Sequence, residues 1–205
     1  MSTLKEPEPG WMENLNGPAG IVAAGGTCTL GYFQCHAEKI AEVAPVDLCV
    51  NLMITLAWYV TNFRPAECEF FNYTASKGGP NWDVFGRNFN IIYDKYPFST
   101  AVGTPFFHLT HKKWKMHLSQ LVRMQKRVTE ACWRLEHFTT NEWDVTNDNV
   151  YRVLALLNPK DAVTFNFDLR NIDWEDYVYQ YSLGVRRFIL KDDDSTAEKA
   201  RARLW

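Results

Sequence analysis

The chain has 205 residues, enough for one domain or two small ones, and its 46% apolar and 15% aromatic content excludes an intrinsically disordered chain, which cannot offset its ordering entropy. A net charge of −2 excludes a nucleic-acid-binding footprint, although residues 1–110 carry six Lys/Arg against ten Asp/Glu and residues 111–191 thirteen against ten. The five cysteines (Cys28, Cys35, Cys49, Cys68 and Cys132) fit neither a disulfide framework nor a zinc set, so they read as reduced thiols with no metal expected.

The opening MSTLKEPEPGW is acidic and proline-rich and lacks the apolar h-region of a signal peptide. A turn-rich stretch, Asn14 to Gly20, leads into small residues up to Gly31 that let backbone approach backbone or ligand closely. Gly17, Pro18 and Gly20 read as a turn against a substrate-pocket wall. They do not form a nucleotide loop, because no strand precedes Gly17 and no G-x-G-x-x-G is present. Residues 41–46 (AEVAPV) predict a short strand. Asp47 then predicts a capped helix through Val60, apolar nearly all round and too short for a bilayer, hence a buried core helix.

Residues 67–73 alternate as a second strand, ended by Gly78-Gly79-Pro80. Asn81 caps a helix whose apolar face is Trp82, Phe85, Phe89 and Ile92, and residues 97–110 read as loop. From 111 the pattern turns helical. Trp114, Leu118, Leu121, Val128, Cys132 and Leu135 form one stripe. The same helix, 111–137, carries seven cations by residue 134 against the single acid Glu130. Such a face can lie on an anionic membrane, meet the phosphates of a ligand such as coenzyme A, or simply be solvated. A second helix over 147–157 is ended by Pro159, and a third follows the cap Asp173 with Tyr177, Val178, Tyr181 and Val185 facing inward. The charged tail 192–205 predicts a short solvated helix capped by Ser195.

Tyr73-Thr-Ala-Ser-Lys77 has the spacing of the Tyr-x-x-x-Lys pair of short-chain reductases, which needs one helical turn to put both side chains on one face. Here it sits at a strand end and runs into Gly78-Gly79-Pro80, so it reads as a coincidence of spacing.

Three stretches resemble one family, the alcohol-forming fatty acyl-CoA reductases. Residues 6–20, EPEPGWMENLNGPAG, resemble its EPxPGWxDNxNGPxG segment. Residues 42–52, EVAPVDLCVNL, resemble its D-x-x-PVD-x-VVN segment. Residues 137–191 resemble its C-terminal domain through HFTTNEWDVTNDN, FNFDLRNIDWEDY and GVRRFILK. The resemblance implies an α/β remnant of an extended short-chain-reductase Rossmann domain (1–105), a small, mostly helical reductase domain (106–191) and a charged tail (192–205). It also implies NADPH-dependent reduction of long-chain fatty acyl-CoA to fatty alcohol, inside the cell at a peroxisomal or endoplasmic-reticulum membrane. The family's cofactor loop and Tyr-x-x-x-Lys pair lie upstream of EPxPGW, so no catalytic or cofactor residue is carried over and no NADPH is expected to bind this chain alone. Thr27 and Gly31 stand where the family usually has Lys and Arg. The expectation is a truncated reductase; the alternative is a non-catalytic acyl-binding or regulatory module that pairs with a full-length one.

Overall fold

The structure is a computed structural model that describes residues 1–76, 78–104, 108–110 and 122–204. Pro18 opens helix α1 (Pro18–Gly26), where its fixed φ and missing N–H cost nothing. This helix is buried on almost every side, and its small residues let neighbours come close. A Cβ on Gly26 would lie 2.2 Å from the Phe98 ring. A wholly apolar segment rich in alanine and glycine has no helical periodicity, which is why the sequence shows a small-residue stretch there and no helix.

Strand β1 (Tyr32–Gln34) pairs in parallel with β2 (His108–Thr110), Phe33 opposite Leu109. Neither was legible, because three residues are too few to show alternation, and β2 falls in the stretch read as loop. The strands expected at 41–46 and 67–73 do not form. Just before the first, Ile40 makes an isolated antiparallel bridge with Asn81, and within it Ala41 N–H bonds the Pro80 carbonyl. The second is irregular, with its backbone met by side chains. Asn149 donates to the Phe70 carbonyl and Asn147 to the Thr74 carbonyl, 2.8 and 2.6 Å away. An extended segment without a partner strand still has to satisfy its polar groups, and asparagines do so here.

Helix α2 spans Val46–Phe63 with Pro45, not Asp47, at its N-cap. The Asp47 carboxylate instead accepts the backbone N–H groups of Leu4 and Lys5 at 2.8 Å, so it ties down the chain's opening segment and does not cap its own helix. The helix is not buried all round. Leu52 and Tyr59 pack on Val150, Val153 and Phe167, while Val50, Met53, Ile54 and Trp58 form an outward stripe, Met53 being 67% exposed. By length and composition alone α2 could cross a membrane, with mean hydropathy 1.3 and 22% of its residues buried.

Helix α3 (Trp82–Lys95) starts as expected, with Asn81 Oδ1 accepting the Val84 N–H at 3.0 Å and Phe85, Phe89 and Ile92 turned inward. Helix α4 (Val122–Thr140) is the described part of the basic helix; residues 111–121, with Lys112, Lys113 and Lys115, lie outside the described residues. It lies along β1, where Gln34 donates to Glu136 at 2.7 Å and Thr139 donates to the Gln34 carbonyl at 2.9 Å. Pro159 does not merely end helix α5 (Asp148–Leu154); it opens a further short helix, α6 (Pro159–Thr164), capped by Asn158.

Asp173 caps α7 (Trp174–Gly184) through the Asp176 N–H at 3.1 Å, as expected. Helix α7 packs on α3, and Phe85 meets Tyr181 edge-on with ring centroids 6.4 Å apart. One π-helical turn (Val185–Ile189) leads to α8 (Thr196–Leu204). The tail is docked, not solvated: Ala197 and Ala200 are buried, and Arg201 and Arg203 donate to the carbonyls of Lys95 and Ala101.

Candidate functional site

Where α1 begins, α3 begins and α4 ends, the chain leaves two adjoining cavities of about 200 and 350 Å³. Glu42, Val43, Phe138 and Trp143 form their common wall. The smaller cavity is completed by Met1, Gly17, Pro18, Ile21, Trp82, Leu135 and Thr139, the larger by Ala44, Tyr73, Thr74, Ala75 and Val145. Together they fall within the roughly 300–1,000 Å³ typical of small-molecule sites, and like those sites they are mostly apolar with a few polar groups.

Local chemistry fixes each wall. Gly17 takes φ +61°, which glycine adopts freely, and so turns the chain into Pro18. Phe138, in the last turn of α4, and Trp143, just past its end, have ring centroids 5.7 Å apart. Glu142, one residue before Trp143, accepts the Ile40 N–H at 2.9 Å and an ammonium bond from Lys39 at 3.1 Å. The Ile40 bond first, then the Lys39 bond, holds its carboxyl below the usual range. These contacts tether the stretch after α4 to the segment that carries Glu42.

Glu42 Oε2 accepts the Thr74 hydroxyl at 2.5 Å and the Ala75 N–H at 3.2 Å, so its carboxylate has a fixed position in the common wall. Trp82 is 7% exposed, its ring leans on Phe33 and Phe85, and its indole Nε1–H has no hydrogen-bond partner among the described residues. A buried donor left open costs about 1–3 kcal/mol unless something fills it.

Of the turn residues expected at a pocket, Gly17 and Pro18 line the smaller cavity, whereas Gly20 packs under the Leu15 carbonyl, where a Cβ would approach to 2.8 Å. Tyr73 lines the larger cavity but is not helical, and its hydroxyl donates to the Phe167 carbonyl at 2.8 Å. Burial, then nearby Cys49, Tyr151 and acidic groups, raises its phenol well above the ordinary range, the opposite of what an activated proton donor needs. Lys77 lies outside the described residues. The cysteines are free thiols; burial, with a smaller push from Glu38, raises Cys35 to about 12, and burial raises Cys132 to about 11. Among the described residues no three His, Cys, Asp or Glu groups are placed to hold a metal.

Residue-by-residue reading missed Glu42, Val43, Trp82, Phe138 and Trp143 as wall residues. The signal was nonetheless in the motifs. NGPAG contributes Gly17 and Pro18, EVAPVD contributes Glu42 to Ala44, and HFTTNEW contributes Phe138 and Trp143. Segments more than ninety residues apart in sequence thus meet at one apolar site.

Comparison with known proteins matches residues 104–192 to the "Male sterility protein" family model. Fatty acyl-CoA reductase 2 of Mus musculus is 30% identical over 227 aligned residues, covering 99% of this chain and 44% of that protein. Fatty acyl-CoA reductase 1 of Homo sapiens (30%) and of Pongo abelii (31%) match with the same coverage. The chain therefore spans somewhat less than half the length of these curated relatives, along almost its whole own length, and it belongs to the fatty acyl-CoA reductase family.

Proposed function

We propose that this chain is the acyl-binding part of a fatty acyl-CoA reductase, the enzyme type that reduces long-chain fatty acyl-CoA to fatty alcohol with NADPH. The convergence of its three family-like segments on one apolar cavity pair carries the reading. An alkyl chain needs such a lining, because each buried methylene is worth about 0.8 kcal/mol. Residues 106–191 act as the reductase C-terminal domain, and residues 1–105 as the end of the nucleotide-binding domain. On α4, Lys126, Arg127 and Arg134 stand exposed, suited to coenzyme A phosphates or to an anionic peroxisomal or reticular membrane. Hydride transfer also needs a pyrophosphate grip and an acid at the carbonyl. The sequence has no G-x-G-x-x-G turn, and among the described residues Tyr73 is neither helical nor free to donate, so we assign the NADPH chemistry to other residues of a reductase.

The uncovered stripe on α2 (Val50, Met53, Ile54 and Trp58) favours a second reading, in which the chain pairs with a full-length reductase as a regulatory module.

Calorimetric titration with palmitoyl-CoA below its micellar concentration tests acyl binding. The expected result is saturable binding, weakened about tenfold or more by Phe138→Glu, which sets a charge in the apolar wall. Phe138 is 58% exposed, so the variant should keep its melting temperature. Binding that ignores the substitution would remove the cavity from the account.

A further inference from the structure

From Cys68 to Ala75 the chain runs without a turn or bend, and its exposure alternates from Cys68 to Tyr73 as in a half-buried strand. Glu69, Phe71 and Tyr73 turn inward. Glu69 pairs with Arg152 at 2.8 Å, Phe71 meets Tyr59 edge-on, and the Tyr73 hydroxyl donates to the Phe167 carbonyl. Cys68, Phe70 and Asn72 point outward, Phe70 being 78% exposed. In an extended chain successive residues direct their N–H and C=O groups to opposite edges. Asn147 and Asn149 occupy the edge to which residues 70, 72 and 74 point. On the other edge, the backbone groups of Glu69, Phe71 and Tyr73 have no partner among the described residues. Buried backbone groups are seldom left unpaired, so these face water. Natural strand edges are commonly blunted by Lys or Pro, and residues 66–76 contain neither.

We propose that this edge pairs with the same edge of a second copy of the chain, antiparallel and centred on Phe71. A twofold axis makes such an edge its own complement, and every copy offers it. Centring on Phe71 uses the straight run from Cys68 to Thr74 in both copies. Phe71 then faces Phe71 of the other copy, and Glu69 faces its Tyr73, so each open N–H gains a carbonyl. No two carboxylates stand opposite each other. On the outward face Phe70 lies opposite Asn72, with the other copy's Phe70 on the diagonal, within reach of an aromatic side chain. One strand pair is a small interface, so the dimer is expected to dissociate at about 10–100 µM. The pairing does not rest on the acyl-binding reading.

Sedimentation equilibrium from about 5 to about 500 µM brackets that range. Reducing buffer keeps the exposed Cys68 thiol from cross-linking. Phe70→Lys should weaken the dimer about tenfold by setting like charges on the diagonal, and Phe70 is too exposed for the fold to depend on it. Adding Asn72→Glu should restore the dimer, because the new cation and the new carboxylate then face each other across the pair. Amide exchange followed by NMR should slow at Glu69, Phe71 and Tyr73 as concentration rises, and not at Phe70 and Asn72, whose N–H groups point to the other edge. A monomer throughout would overturn the proposal. So would a dimer in which those three amides still exchange freely, or one that Phe70→Lys leaves unchanged or Asn72→Glu fails to restore. A monomer that gains the alternating protection only when fatty acyl-CoA reductase 1 of Homo sapiens is added would assign the edge to a reductase, and would equally overturn self-pairing. Each of these results leaves acyl binding where it stands.

Discussion

Gly184→Ala is expected to cost about 4 kcal/mol or more, or to prevent folding, because the new methyl has nowhere to go. At the end of α7 a Cβ on Gly184 would stand 1.9 Å from the carbonyl oxygen of Gly10. From the other side a Cβ on Gly10, which takes φ +80°, would stand 2.3 Å from the Gln180 carbonyl oxygen. Both obstacles are backbone, so neither can rotate away. Gly10 is itself held by its N–H to the Thr3 carbonyl, and Thr3 by its N–H to the Trp11 carbonyl, at 3.1 Å each. This crossing locks the EPEPGW turn onto α7, across more than 170 residues of chain. For a protein this size, 4 kcal/mol is about 10 °C in melting temperature. Gly103 has open space around its Cα and no positive φ, so Gly103→Ala should leave the melting temperature unchanged within a degree or two. Thermal melts of the two variants side by side check this; similar melting for both would mean that α7 and the opening turn do not cross so closely.

Asp192→Ala is expected to lose about 3–5 kcal/mol, since it strips a carboxylate from a buried guanidinium. Arg186 is wholly buried in the π-helical turn. It donates to the carbonyls of Asp192 and Asp193, to Asp194 Oδ1 and to the Thr196 hydroxyl, all within 3.0 Å. The Asp192 carboxylate lies 3.6 Å from the guanidinium and also accepts the Ser99 N–H and the Thr196 hydroxyl. Removing it leaves a buried charge less compensated and frees both donors. Asp194 is 42% exposed, so Asp194→Ala should cost about 1 kcal/mol or less. Urea titrations of the two variants measure the difference; equal, small losses would mean that water reaches Arg186.

Much of the helical layout was legible because it rests on local rules. Asn81 and Asp173 are good caps, and the stripes that follow them at helical spacing bury as written. Helix α2 shows where such rules stop. The length of this apolar run argues for a helix, but a segment apolar all round does not say which face a neighbour covers, and here Leu52 is covered while Met53 is not. Asp47 looked like a cap because it precedes an apolar run, but Pro45 already begins the helix and the carboxylate serves residues more than forty positions away. The tail looked solvated because it is charged, whereas its charges are what Arg186 needs. At the cavity pair, Gly17 and Pro18 announced a turn through their backbone chemistry. Trp82 read as one more core aromatic, since nothing in sequence reveals that a buried indole lacks its acceptor.

The division of labour between acyl binding and nicotinamide chemistry is tested most directly by mixing the purified 205-residue chain with NADPH, with and without palmitoyl-CoA. Coenzyme fluorescence and absorbance at 340 nm are then followed. A dinucleotide site needs a glycine-rich turn running from a strand into a helix. In this chain Gly17 leads into α1 with no strand before it, and Tyr73 is neither helical nor free to donate a proton. The expected result is palmitoyl-CoA binding with no NADPH binding above that of a control protein, and no oxidation of NADPH. Oxidation of NADPH that depends on palmitoyl-CoA, and that disappears in Tyr73→Phe, would contradict it.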